Sequence, residues 1–387
     1  MVRKIFLNSI NHSRQLLRVS LSFIIYPCLL LFIFSCQIEK KTQTTVLEET
    51  TLTQSSYYQQ CQPFNLDYIE DNITVTKPWK IAYLFKAKSD PFWQTMDQGA
   101  KEVGDILGIQ TVVKFTEEQP NIIGDVKKQI GLVLELVENQ EIDGLIIAPE
   151  DSIQLVPIIE KATNSGMPVI VIDTPIDTDK ILTFVTFNNF QGGEILGEWV
   201  IKKIQQSSVK DNKINILILE GSLHEENTIE RRQGFLAGLK IANTNYRLEI
   251  LDMKSAEWET KKAKLITQTW LRKFPKIDVI MAADDQMAVG ASEAVKEAAR
   301  SGIIITGFDG TLLGVKAIKT GKIDATIDQI PKNQINLVTQ LMINYLENKV
   351  TNFPSCQLIG QEQIATDILL TLDNIDEILN HEKSSSN

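Results

Sequence analysis

The sequence is short of basic residues, and this shortage limits what the protein can bind. Its 387 residues include 39 Lys and Arg against 49 Asp and Glu, a formal net charge of −10. Four of the basic residues and none of the acids lie in the first 35 positions, which leaves 35 basic against 49 acidic residues in the rest of the chain. Nucleic-acid binding depends on Lys and Arg that neutralise phosphates. We therefore expect no nucleic-acid partner.

Motifs of the common hydrolases and phosphate-binding enzymes are also missing. There is no Gly-x-Ser-x-Gly nucleophile elbow, no His-Glu-x-x-His metal motif and no glycine-rich phosphate loop. A glycosidase that uses Asp90 and Asp284 as its paired carboxylates is the enzymatic alternative. We expect no enzymatic activity, no cofactor and no metal.

Acids are absent from the N-terminus, where a basic start leads into the apolar run Val19–Phe34. The run ends at Ser35 and Cys36, and this order resembles the lipobox of bacterial lipoproteins, whose Cys is lipidated. A membrane helix is the alternative, but about 16 residues interrupted by Pro27 are short for a span of about 20. We predict a signal peptide over residues 1–35, lipidation at Cys36 and a body anchored outside the cytoplasmic membrane, in the periplasm.

Cysteine is scarce as well. Of four cysteines, Cys28 lies in the predicted signal peptide and Cys36 is the predicted lipidation site, which leaves Cys61 and Cys356. An oxidising compartment permits a disulfide between this pair. Two unpaired thiols are the alternative, because the sequence does not show whether the two residues are close in space.

Large apolar residues are few between residues 36 and 78, which are rich in Thr, Gln, Ser and Glu and are predicted to form a polar tether. From Trp79 onwards, short apolar runs alternate with amphipathic stretches such as Trp93–Leu107 and Glu259–Trp270. This alternation predicts parallel sheets covered by helices. The predicted strands are Ile81–Phe85, Thr111–Phe115, Gly144–Ala148, Pro168–Ile172, Leu182–Phe187, Ile214–Leu219, Leu248–Met253, Val279–Ala283, Ile303–Phe308 and Ala325–Ile327. About ten strands fit two doubly wound lobes better than one eight-stranded barrel.

Polar or aromatic residues follow many of these strands at the carboxyl end, where ligands bind to open parallel sheets. They are Asp90, Asp173, Trp258, Asp284, Asp285, Asp309 and Gln329. One Asp in such a position is usually a helix cap. Its recurrence after strands from both halves of the chain predicts a binding site.

Five motifs between about residues 80 and 378 resemble, in order and spacing, the periplasmic sugar-binding proteins of ABC transporters. They are Asp90-Pro91-Phe92-Trp93, Asn188-Asn189-Phe190-Gln191-Gly192-Gly193, Glu230-Arg231-Arg232-Gln233-Gly234-Phe235, Asp284-Asp285-Gln286-Met287-Ala288-Val289-Gly290 and Gly307-Phe308-Asp309-Gly310. The resemblance is to the type I fold of the ribose- and galactose-binding proteins. It implies two doubly wound, Rossmann-like α/β lobes joined by a three-segment hinge.

The resemblance also implies where the chain changes lobe, namely near Phe187–Asn189, Gln329–Pro331 and Gln357–Gly360. Lobe one would comprise residues 79–187 and 331–357, lobe two residues 188–330 and 358–378, and residues 379–387 would be a C-terminal tail. A disulfide between Cys61 and Cys356 would then fasten the tether to lobe one.

The ligand-binding residues that the resemblance implies are Asp90, Phe92, Trp93, Asp173, Arg231, Trp258, Asp284, Asp309 and Gln329. The acids would accept hydrogen bonds from ligand hydroxyls, Arg231 would donate, and Gln329 would bridge near the hinge. The aromatic rings would sandwich a sugar ring, whose faces are apolar. His224, in the loop before Arg231, is either a ligand contact or a solvated surface residue.

Some positions depart from the pattern of ribose binders. Thr174 stands where those proteins often have Arg, and Asp90 and Asp284 stand where Asn is common. Four carboxylates against Arg231 argue against ribose and favour a hexose, a polyol such as an inositol, or a ligand with an amino group.

The implied function is capture of a monosaccharide or polyol by a lipid-anchored, monomeric receptor that closes around it and delivers it to an ABC permease. A sensor that presents the ligand to a membrane histidine kinase or chemoreceptor is the alternative. The effector domain of a repressor shares the fold, but the residues before Trp79 are those of a signal peptide and tether rather than of a DNA-binding headpiece.

Overall fold

Two seven-stranded sheets organise the chain, as the alternating sequence predicts. The computed structural model describes residues 45–46, 54, 58–68, 73–117, 126–138, 142–206, 212–243, 245–360 and 368–376. The predicted signal peptide, Cys36 and the predicted C-terminal tail lie outside these residues. Within them, no helix has the length and apolar character needed to cross a membrane.

The first sheet is parallel throughout. Its strands, in spatial order, are β2 (Gln62–Pro63), β13 (Cys356–Ile359), β7 (Thr183–Phe187), β6 (Val169–Ile172), β5 (Gly144–Ile147), β3 (Lys80–Ala87) and β4 (Gln110–Glu117). In its register Tyr83 lies opposite Val113 on one side and Ile146 on the other.

The second sheet is parallel in its centre and antiparallel at both edges. Its strands, in spatial order, are β1 (Thr45–Val46), β9 (Arg247–Ser255), β8 (Lys213–Glu220), β10 (Val279–Ala282), β11 (Ile304–Thr306), β12 (Ala325–Ile327) and β14 (Leu369–Thr371). All ten strands predicted from apolar runs are present in the two sheets. The four short strands β1, β2, β13 and β14 were not predicted.

Nine helices cover the faces of the described sheets. They are α1 (Pro91–Leu107), α2 (Val126–Glu138), α3 (Val156–Asn164), α4 (Asn189–Gln206), α5 (Glu226–Ala242), α6 (Thr260–Lys273), α7 (Asp285–Glu297), α8 (Leu312–Lys319) and α9 (Pro331–Asn348). Helices α1, α2, α3 and α9 pack on the first sheet, and we call this unit lobe one. Helices α4 to α8 belong with the second sheet, and we call that unit lobe two.

Both faces of the first sheet are buried, because its central strands carry apolar residues at most positions. In β3, Ile81, Tyr83 and Phe85 pack in one apolar cluster, whereas Ala82 and Leu84 pack in another on the opposite face. Successive side chains of a strand point to opposite faces, so a continuous apolar run predicts a sheet covered on both sides.

The strand order places a crevice at the same point of each lobe. In each lobe the first strand, β3 or β8, lies between the second strand and the third, so the chain order is 2-1-3-4-5. In open α/β sheets the ligand crevice lies beyond the carboxyl ends of the strands, where the direction of winding reverses. The residues after β3, β5, β8 and β10 therefore lie where a ligand is expected.

Two predicted boundaries need correction. The predicted tether contains residues that pack on lobe one, since Tyr58 and Phe64 are buried and β2 joins the first sheet. Their aromatic side chains are apolar enough to be buried within an otherwise polar stretch. The predicted end of lobe one at residue 357 is also too early, because the whole of β13, including Ile359, pairs with β7 in lobe one.

Candidate functional site

A cavity of about 410 Å³ lies between the carboxyl ends of the two sheets. Small-molecule pockets range over roughly 300–1,000 Å³, so this cavity has the size for a small ligand. Eight of the nine predicted ligand-binding residues line it, namely Asp90, Phe92, Trp93, Asp173, Arg231, Trp258, Asp284 and Asp309. The ninth, Gln329, lies behind Asp309 instead. His224 is not among the described residues of the wall.

Two of the carboxylates are helix caps and cavity residues at the same time. Asp90 precedes α1, and its Oδ1 accepts a hydrogen bond from the backbone N–H of Phe92 at 2.8 Å. Asp284 precedes α7, and its Oδ1 accepts from the N–H of Met287 at 2.6 Å. A cap uses one carboxylate oxygen. The structural and the ligand-binding interpretations of these residues are therefore compatible.

The same two carboxylates face each other across the cleft, one from each lobe. Burial raises the pKa of Asp90 to about 6. Burial, followed by repulsion from Asp90, raises the pKa of Asp284 well above its usual value. Two like charges in a poorly solvated site each disfavour ionisation of the other. Hydroxyl groups of a ligand placed between them would donate to both and relieve this cost.

Arg231 is held by lobe two from several sides. Its Nε donates to Asn189 Oδ1 at 2.8 Å, and its Nη1 donates to the Ala283 carbonyl at 2.6 Å and to Asp309 Oδ1 at 3.0 Å. Gln329 Nε2 donates to the same Asp309 oxygen at 2.6 Å. The sequence did not predict the role of Asn189, although it lies in one of the five motifs. Such a network fixes the guanidinium and the carboxylate before any ligand binds.

Asp285, the neighbour of Asp284, supports the site from behind. It is fully buried, and its Oδ2 accepts from the N–H and the hydroxyl of Thr311 at 2.8 and 2.7 Å. Its Oδ1 accepts from Thr326 Oγ1 at 2.6 Å. Burial raises the pKa of Asp285 to about 7, against the effect of these hydrogen bonds. The contacts fix the loop that carries Asp309.

The aromatic residues of the two lobes are positioned differently. Trp93 is buried, and its ring centroid lies 5.7 Å from that of Phe85 and 5.0 Å from that of Phe92. Trp258 is half-buried, and its ring lies on the backbone of Gly221, where an added Cβ would come within 2.1 Å of the ring. A residue without a side chain is needed at Gly221 for this close approach.

Three of the eight predicted residues on the cavity wall, and Glu257 beside them, have a left-handed backbone that is uncommon for residues other than glycine. The φ angles are 66° at Asp173, 62° at Trp258 and 105° at Asp309. Strain of this kind costs of the order of 1–3 kcal/mol per residue and concentrates at binding sites. The left-handed backbone directs these side chains towards the cavity, whereas the backbone of a regular strand would direct them elsewhere.

The sequence missed a second cation on the cavity wall. Lys86 Nζ lies 3.0 Å from Glu225 Oε2, donates to Thr174 Oγ1 at 2.7 Å and lies 4.0 Å from Asp173. Burial lowers the pKa of Lys86, but the attraction of the surrounding carboxylates, Glu225 first, outweighs it and raises the pKa. The expectation that four carboxylates face Arg231 as their only cation therefore left out Lys86. The available signal was a lysine at the end of an otherwise apolar strand.

The cavity wall also holds polar residues that no motif indicated. Glu225 and Asn227 come from the start of α5 in lobe two, and Glu150 follows β5 in lobe one. Asn227 Nδ2 donates to Asp173 Oδ1 at 3.2 Å, which joins lobe two to lobe one. Trp258 Nε1 donates to Glu225 Oε1 at 3.3 Å. The site is therefore acidic and rich in hydrogen-bonding groups, with flat apolar surfaces beside them.

The sequence profile of the family described as "Periplasmic binding protein domain" matches residues 81–349. The chain belongs to this family. Membership implies a location outside the cytoplasm, and it confirms the resemblance and the type I periplasmic binding protein fold predicted from the five motifs.

Curated relatives of this periplasmic binding protein are named as binding proteins. The ribose import binding protein of Haemophilus influenzae is 30% identical over 253 residues, which cover 65% of this chain and 80% of the relative. The D-ribose/D-allose-binding protein of Pseudomonas aeruginosa is 29% identical over 272 residues, which cover 67% of this chain and 80% of the relative.

Solved structures agree with the fold. An ABC transporter periplasmic solute binding protein from Actinobacillus succinogenes with bound D-allose superposes with a TM-score of 0.67 and 28% identity, covering 77% of this chain and 99% of that one. The fructose binding periplasmic domain of a hybrid two-component system superposes with a TM-score of 0.66 at 24% identity, covering 80% of this chain and 95% of that one, and is informative for the fold alone.

Proposed function

We propose that this periplasmic binding protein captures a monosaccharide or polyol between its two lobes and delivers it to an ABC permease. The observation that carries the proposal is the wall of the 410 Å³ cavity, where carboxylates, a fixed arginine and aromatic rings from both lobes converge. A sugar is a ring of hydroxyls with apolar faces. A buried hydroxyl without a partner costs about 1–3 kcal/mol, so a sugar site needs many fixed acceptors and donors.

The relatives support this chemistry. The names of those reported above refer to ribose and allose, and a solved relative contains D-allose. The wall of this chain is more acidic than the ribose pattern, and the ligand classes we favour are a hexose, an inositol or an amino sugar. Lys86 and its partner Glu225 add a hydrogen-bond donor and an acceptor to the groups that distinguish between these ligand classes.

The mechanism follows from the position of the site. The ligand can contact both sides of the site only when the lobes are closed. Lobe one contributes Asp90 and Trp93, and lobe two contributes Arg231 and Trp258. A ligand that binds both lobes therefore favours the closed form, and a membrane partner can distinguish this form from the open one.

A thermal unfolding screen of the full chain in detergent tests the proposal. The panel contains pentoses, hexoses, inositols and amino sugars, each added to protein that has been unfolded and refolded to remove any bound solute. A ligand at 100 times its dissociation constant adds about 2.7 kcal/mol of stability, which is a shift of a few degrees. We expect one class to give this shift and the Asp309→Ala variant to lose it. A panel without any shift contradicts the proposal.

Two further features belong to the proposal. We place the protein on the membrane through lipidated Cys36, so a Cys36→Ser variant should be released in soluble form.

An uptake measurement separates the transport function from the alternative, a sensor kinase: loss of the protein should abolish uptake of the identified sugar. Normal uptake together with a lost transcriptional response to that sugar would favour the sensor.

A further inference from the structure

A short N-terminal segment, residues 58–63, is fastened to lobe one ahead of the region that the family profile covers. We call it the clasp. Cys61 forms a disulfide with Cys356 of β13, with their Cα atoms 4.7 Å apart, and β2 pairs with the same strand. Tyr58 is 2% exposed, and its ring stacks on Phe184 of β7 with centroids 6.3 Å apart. The clasp is therefore an integral part of lobe one.

The hydroxyl of Tyr58 reaches the other lobe. It donates to Oδ1 of Asn227, in the first turn of α5 in lobe two, at 3.2 Å. Asn227 is buried and lines the cavity, and its Nδ2 donates to Asp173 of lobe one. An unbroken row of hydrogen bonds thus connects the clasp with a residue of the ligand cavity.

The clasp and Asp173 bond opposite ends of the Asn227 amide, and the carboxylate of Asp173, which only accepts, decides which end faces it. An amide has one accepting and one donating end. The Tyr58 hydroxyl donates to the oxygen, which leaves the NH₂ group for the carboxylate of Asp173. The reversed amide would place its oxygen against that carboxylate and lose this bond.

The interlobe contacts are concentrated on one short segment. Glu225, two residues before Asn227, forms the buried ion pair with Lys86 of lobe one. The start of α5 therefore receives bonds from the clasp, from β3 and from the loop after β6. Separation of the lobes must break these bonds together.

We propose that the clasp is a disulfide-held latch, in which the Tyr58 hydroxyl bonds Asn227 of the other lobe and so stabilises the closed state of the two lobes. A single neutral hydrogen bond contributes about 0.5–1.5 kcal/mol net. Loss of the Tyr58 hydroxyl is therefore expected to raise the population of the open state by about two- to tenfold. The inference depends on the two lobes and not on the identity of the solute.

Hydrogen exchange of the full chain, measured without any added sugar, tests the latch. Tyr58→Phe keeps the ring and its stacking and removes the hydroxyl. We expect backbone exchange in residues 222–228 to become about two- to tenfold faster, while exchange in residues 81–85 of the lobe-one core stays unchanged. Tyr83→Phe is the matched control, because the Tyr83 hydroxyl bonds Thr339 within lobe one at 2.8 Å. Wild-type exchange of residues 222–228 in Tyr58→Phe overturns the proposal.

The contribution of the disulfide is tested by a double-mutant cycle. Replacing Cys61 and Cys356 together by Ser should speed exchange in residues 222–228 at least as much as Tyr58→Phe does. If the disulfide acts through Tyr58, adding Tyr58→Phe to the Ser variant should have little further effect. Fully additive effects would show that the disulfide does not act through Tyr58 and would overturn that part of the proposal.

Discussion

The two lobes share one topology but contribute to the cavity in different ways. Lobe two contributes polar groups that are already bonded to one another, with Arg231 held by Asn189, Ala283 and Asp309. Lobe one contributes Asp90, which burial leaves with a raised pKa, aromatic rings of its own core, and Lys86 and Asp173, which bond to Glu225 and Asn227 of lobe two. Lobe two is thus prepared for the ligand, whereas lobe one completes the site on closure.

The largest effect is expected where the prepared network of lobe two is broken. Arg231→Ala leaves Asp309 buried without its charged partner. Removing one partner of a buried ion pair lowers the free energy of unfolding by about 3–5 kcal/mol. We expect the affinity for the sugar identified in the screen to fall at least about a hundredfold, as measured by calorimetry. Arg232→Ala is the matched control, since Arg232 pairs with Glu220 and does not line the cavity. Equal losses in the two variants would contradict the assignment of Arg231.

The tryptophans of the two lobes should separate stability from binding. Trp93→Ala removes a core residue of lobe one, and the free energy of unfolding should fall by about 3–5 kcal/mol. Trp258→Ala removes a half-buried ring, and we expect an unfolding loss below about 2 kcal/mol but an affinity about tenfold lower. Denaturant unfolding and calorimetry on both variants provide the comparison. A larger stability loss in Trp258→Ala than in Trp93→Ala would contradict it.

The smallest effect concerns pH and the raised pKa of Asp90 in lobe one. The ionised carboxylate accepts a sugar hydroxyl better than the protonated form, so affinity should fall as the pH drops through about 6. Between pH 7 and pH 5.5 the ionised fraction falls about fourfold, and the affinity should follow it. Asp90→Asn should flatten this dependence. A wild-type affinity that is constant over this range would contradict a role for the ionised form.

Much of the fold was predictable because it depends on local signals. Apolar runs of three to six residues, separated by amphipathic stretches, located ten of the described strands. The short strands β1, β2, β13 and β14 lie at or next to a sheet edge and were not predicted, since strands such as Gln62–Pro63 carry no apolar pattern. Their pairing is decided by neighbours that lie far away in the chain, such as Gln357 opposite Gln62.

The site was predictable to the extent that strand ends mark it. The carboxylates at 90, 173, 284 and 309 follow strands, and parallel strands bring their carboxyl ends to one edge. Lys86 and Asn227 were missed because their partners are distant in sequence. Glu225 lies 139 residues after Lys86, and Asp173 lies 54 residues before Asn227.

The sequence by itself determined the alternation of strands and helices, the family and the acids at the strand ends, because each depends on residue type and local spacing. The tertiary structure alone decided which charges meet across the cleft, how Arg231 is held and that Tyr58 reaches lobe two. Burial and long-range contact set the strength of a hydrogen bond and the pKa of a carboxylate. Neither quantity is written in the local pattern of the chain.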